Sequence, residues 1–177
     1  MAPNVANRRA FLSGVAATLA TASLAGCLGD DDEDESDGNE PELIVDEAES
    51  LEGDTDPDTW RDVEEIRFDA YVGGWVGVEP SHIDRVQNPT LVLFEDRPYE
   101  ITWENRDNVK HNLAIYDAEE EVVDEYVTDV VADAGATETL AFTATAEMSI
   151  YICEHQPGIQ RGDIEIVDDD GVPVDDA

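Results

Sequence analysis

Tyr99-Glu100-Ile101-Thr102-Trp103-Glu104 decides the fold: three large apolar residues alternate with three polar ones. A period of two puts one set on each face of an extended strand, one set for a core and one for water. The same alternation runs upstream through Ile66, Phe68, Ala70 and Val72, against Arg67, Asp69 and Tyr71. Gly73-Gly74 then permits a bend or bulge. Asn88-Pro89 turns the chain into Leu91 to Phe94, and Asp96-Arg97-Pro98 breaks it again. Downstream, His111 to Tyr116, Val122 to Val131, Thr137 to Thr145, Met148 to Cys153 and Asp163 to Val167 read as further extended segments. Seven to eight short strands with no amphipathic helix predict an all-β sandwich over roughly residues 60–168, long enough for one real core.

Outside that span the chain changes character. Asn7-Arg8-Arg9-Ala10-Phe11-Leu12-Ser13 precedes a mild apolar stretch ending at Gly26. Paired arginines before Phe-Leu resemble a twin-arginine export signal, and the stretch is too short and too weakly apolar for a spanning helix. Leu24-Ala25-Gly26-Cys27 resembles a lipobox, which implies that 1–26 is removed and that Cys27 takes a lipid. The mature chain is then expected on the outer face of the cytoplasmic membrane, reaching the membrane through its N-terminal lipid. Residues 27–59 are acidic and poor in large apolar groups, and read as a self-repelling disordered tether. Residues 169–177 read as an acidic tail.

The 177 residues carry 45 Asp+Glu against 9 Lys+Arg, a formal net charge of -36. Such a surface repels nucleic acid and disfavours a nucleic-acid-binding role. The acids also sit between alternating apolar residues, where disorder does not explain them. In concentrated salt the Debye length shrinks to ~3 Å at 1 M, which screens the self-repulsion. The composition predicts a salt-adapted microbe.

With Cys27 assigned to lipid, Cys153 is alone. An unpaired cysteine in an oxidising compartment is either buried inertly or ligated. It ends a strand, and His155 lies two residues on. His111 opens a distant strand after a polar loop. A thiolate and imidazoles from two strand ends, with a weak further donor, are what one mononuclear copper ion asks for.

From Asn88 to Ile115 and from Tyr151 to Val167 the chain resembles the cupredoxins, the plastocyanin–halocyanin group in particular. Trp103-Glu104-Asn105 through His111-Asn112 is similar to the segment that delivers that family's first histidine. Tyr151-Ile152-Cys153 through Pro157 to Gly162 is similar to its C-terminal ligand loop. The resemblance implies a cupredoxin-like Greek-key sandwich, one copper ion and single-electron transfer. It also implies that Asn112 steadies the thiolate by hydrogen bonding.

The loop departs from the family pattern. Gln156 stands at the usual second histidine position and Gln160 at the usual methionine position. Residues i and i+2 of an extended segment share a face, which favours His155 as the second imidazole, with Gln156 as the alternative. Gln160 is the axial donor by resemblance to the stellacyanin-type members. The expected ligand set is therefore His111, Cys153, His155 and Gln160.

His82 reads as a surface or loop histidine, Met148 as core, Trp75 and Trp103 as core or rim aromatics, and Glu154 as exposed. No Gly-rich phosphate loop or Ser–His–Asp arrangement is present, and three histidines cannot furnish the extra copper centres of an oxidase. The reading is an electron carrier rather than an enzyme, a monomer docking transiently with redox proteins. The alternative is a cupredoxin-fold binding or copper-delivery module.

Overall fold

The alternation at Tyr99–Glu104 becomes the middle of β4 (Pro98–Asn105), whose buried set is Tyr99, Ile101, Trp103 and Asn105. The computed structural model describes residues 45–174. The expected signal segment 1–26, Cys27, the tether as far as 44 and residues 175–177 lie outside the described residues. Two sheets carry nine strands among the described residues. The first sheet is ordered β2-β1-β4-β7, from Gly74–Glu79, Glu65–Tyr71, β4 and Thr137–Thr143. The second is ordered β3-β9-β8-β5-β6, from Leu91–Phe94, Arg161–Val167, Ile150–Ile152, Ala114–Tyr116 and Val122–Val127. Both sheets are mixed, since β1 runs parallel to β4 and β3 parallel to β9.

The inner faces share one core. Ile66, Phe68, Ile101, Trp103, Leu140 and Phe142 come from the first sheet, and Leu91, Leu93, Ile115, Tyr151, Ile164 and Ile166 from the second. Phe68 and Tyr151 stack across it, with ring centroids 5.2 Å apart and planes 11° from parallel. This is the expected all-β sandwich, built with one strand more than the sequence suggested. The extra strand is β2. Its first four residues are all buried, so the alternation that reveals a half-exposed strand is missing.

The domain also starts before residue 60. The amides of Glu49 and Ser50 donate to the Arg85 carbonyl, and the Gln87 amide donates back to Ser50 at 2.9 Å. Asp56 caps a one-turn helix, α1 (Pro57–Trp60), that plants Trp60 in the core. At the other end, Val174 donates to the Ile166 carbonyl at 2.9 Å, and Asp169 pairs with Arg97 at 2.8 Å. Acid-rich composition marked 45–59 and 169–174 as solvent-borne. Their backbone hydrogen bonds and a few apolar anchors hold them to the sandwich instead.

Candidate metal centre

Strands β5 and β8 bring the two chemistry-bearing segments together. They pair antiparallel with Ala114 opposite Ile152, so the residues before β5 lie beside those after β8. His111 and Cys153 therefore share one end of the second sheet. His111 is fixed by its backbone, which exchanges hydrogen bonds with Val131 at 2.9 and 3.0 Å. Asn112 and Glu154 then form a reciprocal pair, the Glu154 amide donating to Asn112 Oδ1 at 3.0 Å and Asn112 Nδ2 to Glu154 Oε2 at 2.6 Å. The hydroxyl of Tyr116 donates to the other Glu154 oxygen at 2.8 Å. Asn112 thus ties the segment before β5 to the one after β8 through Glu154.

Cys153 and His111 are both fully buried, and the sulfur lies 3.9 Å from His111 Nδ1. Gln160, also fully buried, places Oε1 2.8 Å from the same Nδ1. Gln156 places its Oε1 3.0 Å from the sulfur, while its Nε2 reaches the Lys110 carbonyl at 3.3 Å. His155 is exposed. Of the expected ligands the structure gathers His111, Cys153 and Gln160, and it turns Gln156 inward in place of His155.

The reason is the path of the loop. After Cys153 the chain turns at once, with the Gln156 amide donating to the Cys153 carbonyl at 3.1 Å. The Cys153 amide in turn donates to the Gln160 carbonyl at 2.9 Å, closing the loop on itself. An i to i+3 turn returns the third residue to the starting side. The i, i+2 argument for His155 holds only for extended chain, and this segment is not extended.

Asp107 is the neighbour that the sequence reading missed. Its Oδ1 lies 3.1 Å from His111 Nε2. The clue available was the spacing Asn105-Arg106-Asp107-Asn108-Val109, two side chains each able to bond a backbone amide two residues on. Both such bonds form, Asp107 N to Asn105 Oδ1 at 3.0 Å and Val109 N to Asp107 Oδ1 at 2.8 Å.

Burial and neighbouring groups pull in opposite directions on both Cys153 and His111. Burial works against the Cys153 thiolate. The His111 imidazole and the amides of Asn112, His155 and Gln156 outweigh it and hold the thiol below its ordinary value. Burial likewise opposes an imidazolium at His111, yet Cys153, Asp107 and Gln160 raise it to about 8. The short Nδ1–Gln160 contact is made either by a proton on Nδ1 donated to Oε1 or, when Nδ1 is unprotonated, by the carboxamide turned to offer its nitrogen. With Oε1 toward the ring, Gln160 Nε2 is buried with no partner.

The donors fit a soft cation. Bonds of ~2.3 Å to sulfur and ~2.0 Å to imidazole nitrogen, laid end to end, exceed the 3.9 Å between these atoms, so one ion can touch both. The set is one thiolate, one imidazole and two carboxamide oxygens, with a single imidazole where the blue-copper pattern has two. No cluster of three or more His, Cys, Asp or Glu suited to a metal occurs among the described residues. Half of this centre's donors are glutamines.

The chain is, by its own strands and side chains, an all-β two-sheet protein with a buried cysteine–histidine centre at one sheet end. No protein-family model matches it, and no curated protein does. Among solved structures it is similar to the copper protein rusticyanin at 14% identity, over 67% of this chain and 82% of that one, with a TM-score of 0.43. It is also similar to an amicyanin mutant in the Cu(I) state, at 18% identity over 58% and 82%, with a TM-score of 0.38. A purple cupredoxin from Nitrosopumilus maritimus matches at 16% identity over 59% and 99%, with a TM-score of 0.37.

Proposed function

We propose that this protein carries single electrons through one copper ion held by His111, Cys153, Gln156 and Gln160. The observation that carries the reading is the buried approach of the Cys153 sulfur to His111 Nδ1, from segments 42 residues apart. Bound there, copper would supply a one-electron couple. The protein's part is to hold the donors still: β5–β8 pairing, the Asn112–Glu154 bonds and the closed Cys153–Gln160 loop fix them from three sides. Rigid donors limit reorganisation between oxidation states. Burial of His111 and Cys153 keeps water from competing for the ion.

We read the chain further as exported by the twin-arginine route and anchored through lipid on Cys27. It would act as a monomer at the outer face of the membrane of a salt-adapted microbe. No helix among the described residues is long and apolar enough to span a membrane. A net charge of -36 favours transient docking with redox partners that present basic patches.

The single imidazole supports a second reading, a copper-delivery module that prefers the reduced ion. Metal analysis and visible absorption of the domain in high salt separate the two. An electron carrier binds one copper, is intensely coloured when oxidised and bleaches reversibly. A delivery module binds the reduced ion without that colour and passes it on, and a chain that takes up no copper defeats both.

A further inference from the structure

The two nitrogens of His111 face different chemistry. Nδ1 looks toward Cys153 and Gln160, and Nε2 toward the Asp107 carboxylate. The imidazole has no exposed surface, so neither nitrogen is left to water and the two neighbours decide where its proton sits. The Asp107 carboxylate, 3.1 Å from Nε2, is a stronger acceptor than the Gln160 carboxamide oxygen and lies closer to the ring than the Cys153 sulfur, which is 3.9 Å from Nδ1.

Asp107 is itself held. Its Oδ2 accepts from the Val72 amide at 2.7 Å and its Oδ1 from the Val109 amide at 2.8 Å. Its own amide donates to Asn105 Oδ1, and the fully buried Asn105 spends its Nδ2 on the Val109 carbonyl at 2.9 Å. Val72 follows β1, so the carboxylate is pinned between the loop before His111 and the far end of another strand. A charge fixed by two backbone amides cannot swing away from the ring without breaking both bonds.

We infer that Asp107 is the positioning residue of the centre, holding the proton on His111 Nε2 so that Nδ1 presents its lone pair beside the Cys153 sulfur. The inference rests on the copper reading above. A carboxylate on the far nitrogen also makes the imidazole a more basic donor. That favours the more highly charged ion over the reduced one and lowers the midpoint potential. A loop brace alone would need only the bonds to Val72 and Val109, and would leave the imidazole's proton and the potential untouched.

The test pairs nitrogen-15 NMR of the histidines with copper affinity and redox titration, on wild-type domain and on Asp107→Asn. The asparagine keeps the size and one acceptor and removes the charge. Expected in the wild type is an Nε2–H tautomer of the neutral His111 ring. Expected in Asp107→Asn is copper binding weakened ~10- to 100-fold with a raised midpoint. A wild-type ring protonated at Nδ1 overturns the assignment, and this arm needs no variant to fold. So does an Asp107→Asn protein matching the wild type in affinity and midpoint. A wild-type domain that takes up no copper while keeping its Nε2–H tautomer instead defeats the electron-carrier reading.

Discussion

The side-chain oxygen of Gln156 lies 3.0 Å from the sulfur of Cys153, while His155, its neighbour in the chain, is exposed. A turn that begins at Cys153 makes that choice. It follows that an imidazole is wanted at 156 and is idle at 155. Gln156→His should bring the donor set to two imidazoles and a thiolate, tighten copper binding tenfold or more, and intensify the visible absorption. His155→Ala should leave both where they were. Loss of copper or colour in His155→Ala would show that the loop opens and that His155 is a ligand after all.

Copper uptake should depend on pH through His111. A proton and a cation compete for Nδ1, and the neighbours of this imidazole raise it to about 8. Below that value uptake must expel a proton, so apparent affinity falls roughly tenfold per pH unit on acidification. Above it the dependence from His111 flattens. The thiol of Cys153 is lowered, so it adds to the slope only where it too holds a proton. Competition titrations with a chelator of known affinity between pH 6 and 9 measure the slope. A flat profile across that range would mean that Nδ1 is not a ligand.

A third expectation concerns alkali. Tyr151 is fully buried, donates to the Pro89 carbonyl at 2.6 Å, and is pushed well above its ordinary 10.0 because burial penalises the phenolate, with Asp163 adding to the effect. Below pH 10 the phenol is neutral in both folded and unfolded chain, and its contribution is complete. As pH rises past 10 the unfolded chain gives up the proton first, so stability drains away. Tyr151→Phe should cost ~1 kcal/mol at neutral pH, for the lost hydrogen bond, and should soften the alkaline fall. Denaturant unfolding at pH 7 and about pH 11 makes the comparison. A variant falling as steeply as the wild type would place the alkaline sensitivity elsewhere.

Much of this was legible in the sequence, for identifiable reasons. β1, β4, β7 and β9 each have one face toward the core and one toward water, and their alternation shows it. β2 is covered on both faces at its start and hid. His111 and Cys153 stood out as rare residue types at strand ends, and pairing of β5 with β8 unites them. The choice between His155 and Gln156 depended on a turn that composition does not announce. Asp107 was one acid among 45 Asp+Glu, and only the bonds it makes set it apart from a solvated surface. The edges of the domain were misread for the same reason, since acid-rich segments look solvent-borne even where their backbone is bonded to strands.

The strand that delivers Cys153 has a tight spot that can be tested directly. Gly162 stands opposite Tyr151 in the β8–β9 register. A methyl group there would sit 2.3 Å from the tyrosine oxygen and 2.4 Å from the ring carbon bearing it. The ring cannot step aside, because its hydroxyl is bonded to Pro89 and its face is stacked on Phe68. Gly162→Ala should therefore overpack the core and cost ~1–3 kcal/mol. Cys153 lies two residues beyond Tyr151, so any shift that relieves the clash should also loosen copper binding. Gly158→Ala is the matched control, since nothing lies within 4 Å of its added methyl and the cost should stay within ~0.5 kcal/mol. Denaturant unfolding of the two variants side by side measures the difference. Equal stabilities would mean that the Tyr151 ring is free to move, and that the strand behind the thiolate is softer than its contacts require.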